Sequence, residues 1–461
     1  MHSQKRLRRP ALAASALLVL PAIPALAPAA QAAPGAGAAA PGVSRQAPAA
    51  KGGAAACGSG AALRQKMRGG GVWRMCWHTS STAGLVLEDV SFQPRGEARP
   101  ITVLKSARLA QIHVPYDNGS VEYNDVTEMQ LGASAEPLRP KDCPGGVLKK
   151  IPGVDWDTGG SKQVDGLCVT TQERGFAFHG DSGSIGEEPG RKDAEQGQDL
   201  VLYTVNSAGY YHYINQWNFS DDGTITPKAG ATGNLSPSDY DASDGQGWPV
   251  GKGSRARATS HHHNIFWRLD FAPDGSRDAR VEQFDSRRTG SGGPDKTPTY
   301  RTTRKRLTTE TAGNGGMDGY RWWRVVSPKG RNADGHARSW ELVHRNQAKY
   351  TARAFTKYDV YFTRYKKFEQ YASDNARFGS HRAEDVRGFT NGEALKHPIT
   401  WVNVGFHHIA RDEDQTPMPV HWQGFQIAPR DVTSMSPLTP DRLRKPRYNG
   451  KPRFPGEEGV R

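Results

Sequence analysis

Two histidine clusters stand out among the residues able to do chemistry, His261-His262-His263 and His407-His408. Each lies in an apolar, strand-like stretch. Residues two apart on a strand project to the same face, about 7 Å apart along it. His261 and His263 can therefore offer two neutral imidazoles to one metal ion, while His262 points the other way. Only one of His407 and His408 can face the same side as that pair. Three imidazoles from distant segments suit copper or zinc, and imidazole alone does not choose between them. Three consecutive histidines are equally compatible with an accident of composition.

A third stretch is Ser207 to Trp217. It alternates like a single strand, with Tyr211, Tyr213 and Trp217 on one face and His212 and Ile214 on the other. Ser220-Asp221-Asp222-Gly223 then signals a hairpin. Taken alone, this is a half-buried aromatic strand, since aromatics favour sheets. The carboxylates are less distinctive. Asp125 reads as a solvated residue in a loop or strand end, and Glu413-Asp414 as a surface acidic pair. No Ser-His-Asp elbow, phosphate loop or dinucleotide-binding glycine fingerprint occurs.

The elements that must position these residues are short strands and turns. Strand-like segments include Leu85-Val86-Leu87, Ile101 to Leu104, Leu109 to Val114, Gly175 to His179, Leu200 to Phe219, Tyr320 to Val326, Trp340 to His344, Tyr358 to Tyr365 and Thr400 to Ile409. Asp117-Asn118-Gly119 is a turn. There is no long helical periodicity and no internal repeat. The fold class is mainly β, a large antiparallel β-sandwich with long loops.

Composition agrees. The chain has 461 residues, with 52 Gly, 31 Pro and 41 aromatics, and only 36% of it is hydrophobic. No bundle of membrane spans fits those figures. Residues 1–33 read as an export signal: Lys5, Arg6, Arg8 and Arg9, then the apolar run Ala11 to Leu26, then Ala30-Gln31-Ala32 as a cleavage site. The Arg8-Arg9 pair leaves twin-arginine export open beside the general secretory route. The apolar run is short and proline-broken, so no membrane span is expected. Residues 34–56 read as an Ala/Gly/Pro-rich linker, 57–437 as the folded β-domain and 438–461 as a basic, Pro-rich tail, extended or disordered from Ser436 on. The formal charge is +14. Its cations are scattered and no recognition motif accompanies them, so a soluble basic surface is expected and no nucleic acid. Four cysteines in an exported chain imply two disulfides, and adjacent pairing, Cys57-Cys76 with Cys143-Cys168, is the simplest of three connectivities.

Together these segments resemble the catalytic domain of the copper amine oxidases, from about Cys76 to about Pro437. Gly209-Tyr210-Tyr211-His212-Tyr213-Ile214 and Trp217 match that family's cofactor strand, with Tyr211 at the modified position. His261-His262-His263, Ile265-Phe266-Trp267 and Arg268-Leu269-Asp270 match its His-x-His strand. Gly405-Phe406-His407-His408, Glu413-Asp414 and Met418-Pro419 match the segment of the third ligand. Val114-Pro115-Tyr116 matches, and Asp125 to Gly132 matches loosely the segment of the catalytic base. The family's disulfide has its counterpart in Cys143 and Cys168.

The resemblance implies copper(II) held by His261, His263 and His408, and topaquinone formed from Tyr211. It implies Asp125 as the base and Tyr116 as a hydrogen-bond partner of the cofactor. The reaction would be oxidation of primary amines by O2, giving aldehyde, ammonia and hydrogen peroxide. It also implies a homodimer, with Trp340 to Asp374 as the source of its arms, and the export signal makes the expected protein a secreted one. Tyr210 stands where the family has Asn, and His212 where it has an acidic residue. Asp270 matches the family's second, peripheral metal site, but Ala272 and His397 stand where acids are usual. These departures support an alternative, a copper-binding extracellular β-protein that keeps the fold without turnover. A zinc protein using the same imidazoles would leave the tyrosine strand without a role.

Overall fold

The computed structural model describes residues 57–444, apart from 59, 156, 182–191, 236–246, 253–256, 293–296, 317–319, 345–347 and 376–383. The expected export signal, the linker and the tail beyond Arg444 lie outside the described residues.

Among those residues, most strands join two large antiparallel sheets. One runs, edge to edge, Ala61–Lys66, Val72–Ser80, Gly84–Gln93, Ile101–Pro115, His261–Phe271, Pro398–His408, Val360–Arg364 and Thr311–Gly313, with Glu122–Asn124 added beside Ile101–Pro115. The other runs Pro298–Leu307, Arg280–Ser291, Trp322–Arg331, Ala337–Val343, Gln426–Arg430, Ile225–Gly233, Tyr211–Ser220, Lys192–Ala208, Gly160–Asp181 and Val147–Asp155, with Met418–Gly424 paired to Ile225–Gly233. Apolar residues from both sheets share one core, which is the expected sandwich. No helix among the described residues is long and apolar enough to cross a membrane.

The strand His261–Phe271 illustrates how sequence alternation builds the layers. Ile265, Trp267, Leu269 and Phe271 face the main core, with Tyr211, Tyr213 and Trp217 of the other sheet. Phe266 faces the opposite way, into a smaller core with Phe355, Tyr361, Phe389 and Trp401. The strand is thus buried on both faces over most of its length, and truncating Trp267 to Ala would cost about 3–5 kcal/mol. Its first residues continue the alternation. His261 and His263 enter the layer between the sheets, and His262 lies on the other face.

One expectation is corrected. Ser207 to Trp217 is not one strand but a hairpin: Lys192–Ala208 turns at Gly209-Tyr210 into Tyr211–Ser220, with Ala208 opposite Tyr211. Gly209 supplies the positive φ (58°) that this two-residue turn needs. An aromatic at the second turn position hides the signal. The second hairpin, at Ser220 to Thr224, lies where the sequence places it. Trp340 to Asp374, expected to supply arms, contributes Trp340, Phe355, Val360, Tyr361, Phe362 and Ala372 to the interior, while 351–354 and 364–365 are exposed. An exposed hairpin lies along Arg280–Ser291 and Pro298–Leu307. Just beyond residue 437, Leu438 is buried and Arg442 pairs with Asp193.

Disulfides join Cys57 to Cys76 and Cys143 to Cys168. Closing loops of this length contributes roughly 3 kcal/mol each in the chain-entropy account.

Candidate active site

The two sheets bring the expected residues together at one end of the shared core. Tyr211 opens its strand directly after the Gly209-Tyr210 turn and is buried. His261 and His263 open the strand opposite, and His408 closes the strand that pairs with it, His261 standing across from His408. One donor nitrogen from each histidine falls within 4.8 Å of the others. At their centre is the Tyr211 hydroxyl, 2.7 Å from His261 Nε2 and 2.9 Å from His408 Nδ1.

The outer nitrogens fix the tautomers. His408 Nε2 faces the Asp414 carboxylate at 3.0 Å, so Nε2 carries the proton and Nδ1 keeps its lone pair. His261 Nδ1 faces the Thr259 carbonyl at 3.4 Å, which leaves the lone pair on Nε2. His263 Nδ1 lies 3.3 Å from the Tyr213 hydroxyl oxygen, and that hydroxyl donates to Asp125. His263 Nδ1 therefore donates, and Nε2 is left buried with no hydrogen-bond partner among the described residues. These proton positions are assigned from the partners.

Three imidazole lone pairs thus meet in a closed space around one phenol, which has a single proton to give. The deficit cannot be met by protonating the rings. Burial, reinforced by the neighbouring His408, lowers His261 to about 3. Burial likewise holds His263 well below its ordinary value and lowers His408. Neutral, oriented, buried imidazoles that share an unmet acceptor surplus are a fit for a divalent cation with nitrogen ligands.

Asp125 follows the strand Glu122–Asn124 and is only 6% exposed. The solvated-loop reading is therefore wrong for it. Tyr213 Oη donates to Asp125 Oδ2 at 2.7 Å. Burial lifts the carboxyl from 3.8 to about 7, although the Tyr213 bond pulls it back down. Burial and the Asp125 charge raise Tyr213 well above the ordinary phenol value, so it stays a donor. Tyr116 lies flat on His261, ring centroids 4.7 Å apart at 25°.

Asp414 is the second correction among the carboxylates. It is fully buried, not a surface residue, and holds His408 on one oxygen and His421 on the other at 3.2 Å. Burial is the largest single influence and favours its neutral form, but His408, the Arg411 amide and His421 together outweigh it and the carboxyl stays below its ordinary value. Tyr213 and His421 have no role in the sequence reading. Tyr213 is detectable there only as the residue two after Tyr211, on the same strand face.

The two departures beside Tyr211 lie off the cluster. Tyr210 is half exposed in the turn. His212 pairs with Ser207 and occupies the strand face opposite Tyr211 and Tyr213. At the peripheral position, Asp270 is buried and partnered by His397 Nε2 at 3.0 Å and Arg277 at 3.2 Å.

Residues 71–440 match the model for the copper amine oxidase enzyme domain. Histamine oxidase of Arthrobacter globiformis is 28% identical over 392 residues, covering 77% of this chain and 54% of its own. A peroxisomal copper-containing amine oxidase, alpha 2, of Arabidopsis thaliana is 27% identical over 397 residues, covering 77% and 57%.

 Among solved structures, the copper-containing benzylamine oxidase of Hansenula polymorpha superposes with a TM-score of 0.68 at 20% identity, over 81% of this chain and 62% of that one. The chain spans little more than half the length of the curated relatives it matches. The superposition establishes the fold alone, but the family model covers most of the sequence, and the chain belongs to the copper amine oxidase family.

Proposed function

We propose that the chain is a secreted primary-amine oxidase that uses copper and a topaquinone made from Tyr211. The observation that carries this reading is the Tyr211 hydroxyl, within hydrogen-bond distance of two imidazole nitrogens whose tautomers leave lone pairs pointed at it. A tyrosine so placed is positioned for oxidation by a metal held on those nitrogens. Bound copper with O2 would supply the oxidation of Tyr211, and the resulting quinone would supply the electron sink for the amine. The balanced reaction is RCH2NH2 + O2 + H2O giving RCHO + NH3 + H2O2.

The chain's own residues then have distinct tasks. His261, His263 and His408 would hold the metal, with Asp414 fixing the orientation of His408. Asp125 would take the proton from the carbon next to the amine nitrogen. A carboxyl near 7 suits that work, because it is partly ionised at neutral pH yet basic enough to accept a carbon-bound proton. Tyr213 would hold Asp125 in place by its hydrogen bond. Tyr116 would brace the His261 ring from the side.

Two disulfides fit an oxidising compartment, which supports export. The homodimer that the resemblance implies belongs to the same proposal, and light scattering of the purified chain tests it. For the activity, the copper-loaded protein is given a panel of primary amines in air. Equal yields of aldehyde and peroxide are expected, and both should vanish in Tyr211→Phe. Peroxide formation that survives this substitution would refute the reading. The alternative, a copper-binding protein without turnover, rests on Tyr210 and His212, and among the described residues no side-chain contact of either with the buried cluster favours it.

A further inference from the structure

The alternation that turns His261, His263 and His408 inward turns His262 and His407 outward. These two stand directly opposite each other on paired strands. Their rings stack with centroids 3.9 Å apart at 4°. Asp117, in the turn after Tyr116, reaches both. Its Oδ2 is 2.6 Å from His407 Nε2 and its Oδ1 is 3.3 Å from His262 Nδ1. The Asp117 amide donates to the Ser260 carbonyl at 2.9 Å, which ties the turn to the residue before the histidine strand.

We propose that Asp117, His262 and His407 form a second divalent-metal site, on the outer face of the sheet, for an ion that prefers imidazole, such as Cu(II) or Zn(II). The ligand atoms of the three already lie within 4.8 Å of one another. None of them belongs to the buried cluster. Two imidazoles and a carboxylate give the mixed nitrogen and oxygen set that such ions take, with water filling the remaining positions. Metal bonds of about 2.0–2.2 Å place ligand atoms roughly 3–3.5 Å apart, so the stacked rings must splay by about 1 Å. Partial exposure of all three side chains leaves room for that movement and lets the ion exchange with solvent.

The site is tested on the full chain, stripped of metal and titrated with Cu(II) alone and Zn(II) alone. Bound metal is counted by mass spectrometry and affinity is read by calorimetry. Wild type should take up two ions per chain, and His407→Ala only one. Asp117→Asn, in an exposed turn where folding is little affected, should weaken the second ion at least about ten-fold. His261→Ala should instead lose the buried ion and keep the outer one. A wild-type isotherm in both His407→Ala and Asp117→Asn would overturn the proposal. One ion, lost in His261→Ala alone, would also overturn it while leaving the buried site intact. One ion lost in His407→Ala alone would sustain it and refute the buried site.

Discussion

On the inner face of the paired strands His261–Phe271 and Pro398–His408, three histidines are at most 3% exposed. On the outer face of the same strands, His262 and His407 keep 18% and 29% of their side chains in solvent. Residue type and strand are shared, so the difference lies in what surrounds each ring. Each inner ring has its own partner for the outward nitrogen: Thr259, Tyr213 or Asp414. The outer rings share one carboxylate, Asp117. Inner lone pairs are therefore fixed in direction and kept from protonation by burial. Outer ones can turn, exchange and meet solvent. A site meant to modify a neighbouring tyrosine needs the first arrangement, because the metal must stay in one place while the phenol reacts.

The sharpest way to break the contrast is His408→Ala. With one inner ligand gone, quinone formation and amine oxidation should fall to background, while the outer site still takes up metal. Asp125→Asn should come next, lowering kcat by about 10²–10⁴-fold while the quinone still forms, as read by phenylhydrazine titration. Asp414→Ala should weaken copper at the inner site about 10–100-fold by freeing the His408 ring, measured by competition with a chelator.

The smallest effect concerns proton affinity. The wild-type rate should rise with pH through about 7, as Asp125 ionises. Tyr213→Phe removes the hydrogen bond that lowers the Asp125 carboxyl, so that rise should move to higher pH with a modest loss of rate. Stability offers an independent check on metal-free protein. The folded value of Asp125 lies above its ordinary 3.8, so its contribution is fully present below that value and is lost as pH rises through about 7. Asp125→Asn should therefore lose less stability than wild type between pH 5 and 8 in urea melts.

The inner histidines were legible because strand alternation acts over two residues and His261-x-His263 declares itself locally. The β-sandwich was legible for the same reason, from repeated short apolar runs between turns. The rest depends on contacts that no local pattern encodes. Tyr211 meets His408 across 197 positions, and Tyr213 meets Asp125 across 88. Asp414 looks like any acidic loop residue until the chain folds it beneath His408. Gly209-Tyr210 turns a chain whose alternation continues on both sides, so the hairpin passes for a longer strand. The resemblance assigned Tyr211 and Asp125 their roles, while the tautomers and the raised Asp125 carboxyl came only from packing.

The proposed function stands or falls on whether Tyr211 is rebuilt by metal held on the inner histidines. The direct measurement is to load the metal-free chain with Cu(II) without oxygen, admit air, add phenylhydrazine, and map the modified peptide by mass spectrometry. Colour should appear only after air is admitted, and the adduct should sit on Tyr211. A copper-loaded protein that stays colourless in air, or an adduct on any other residue, would contradict it.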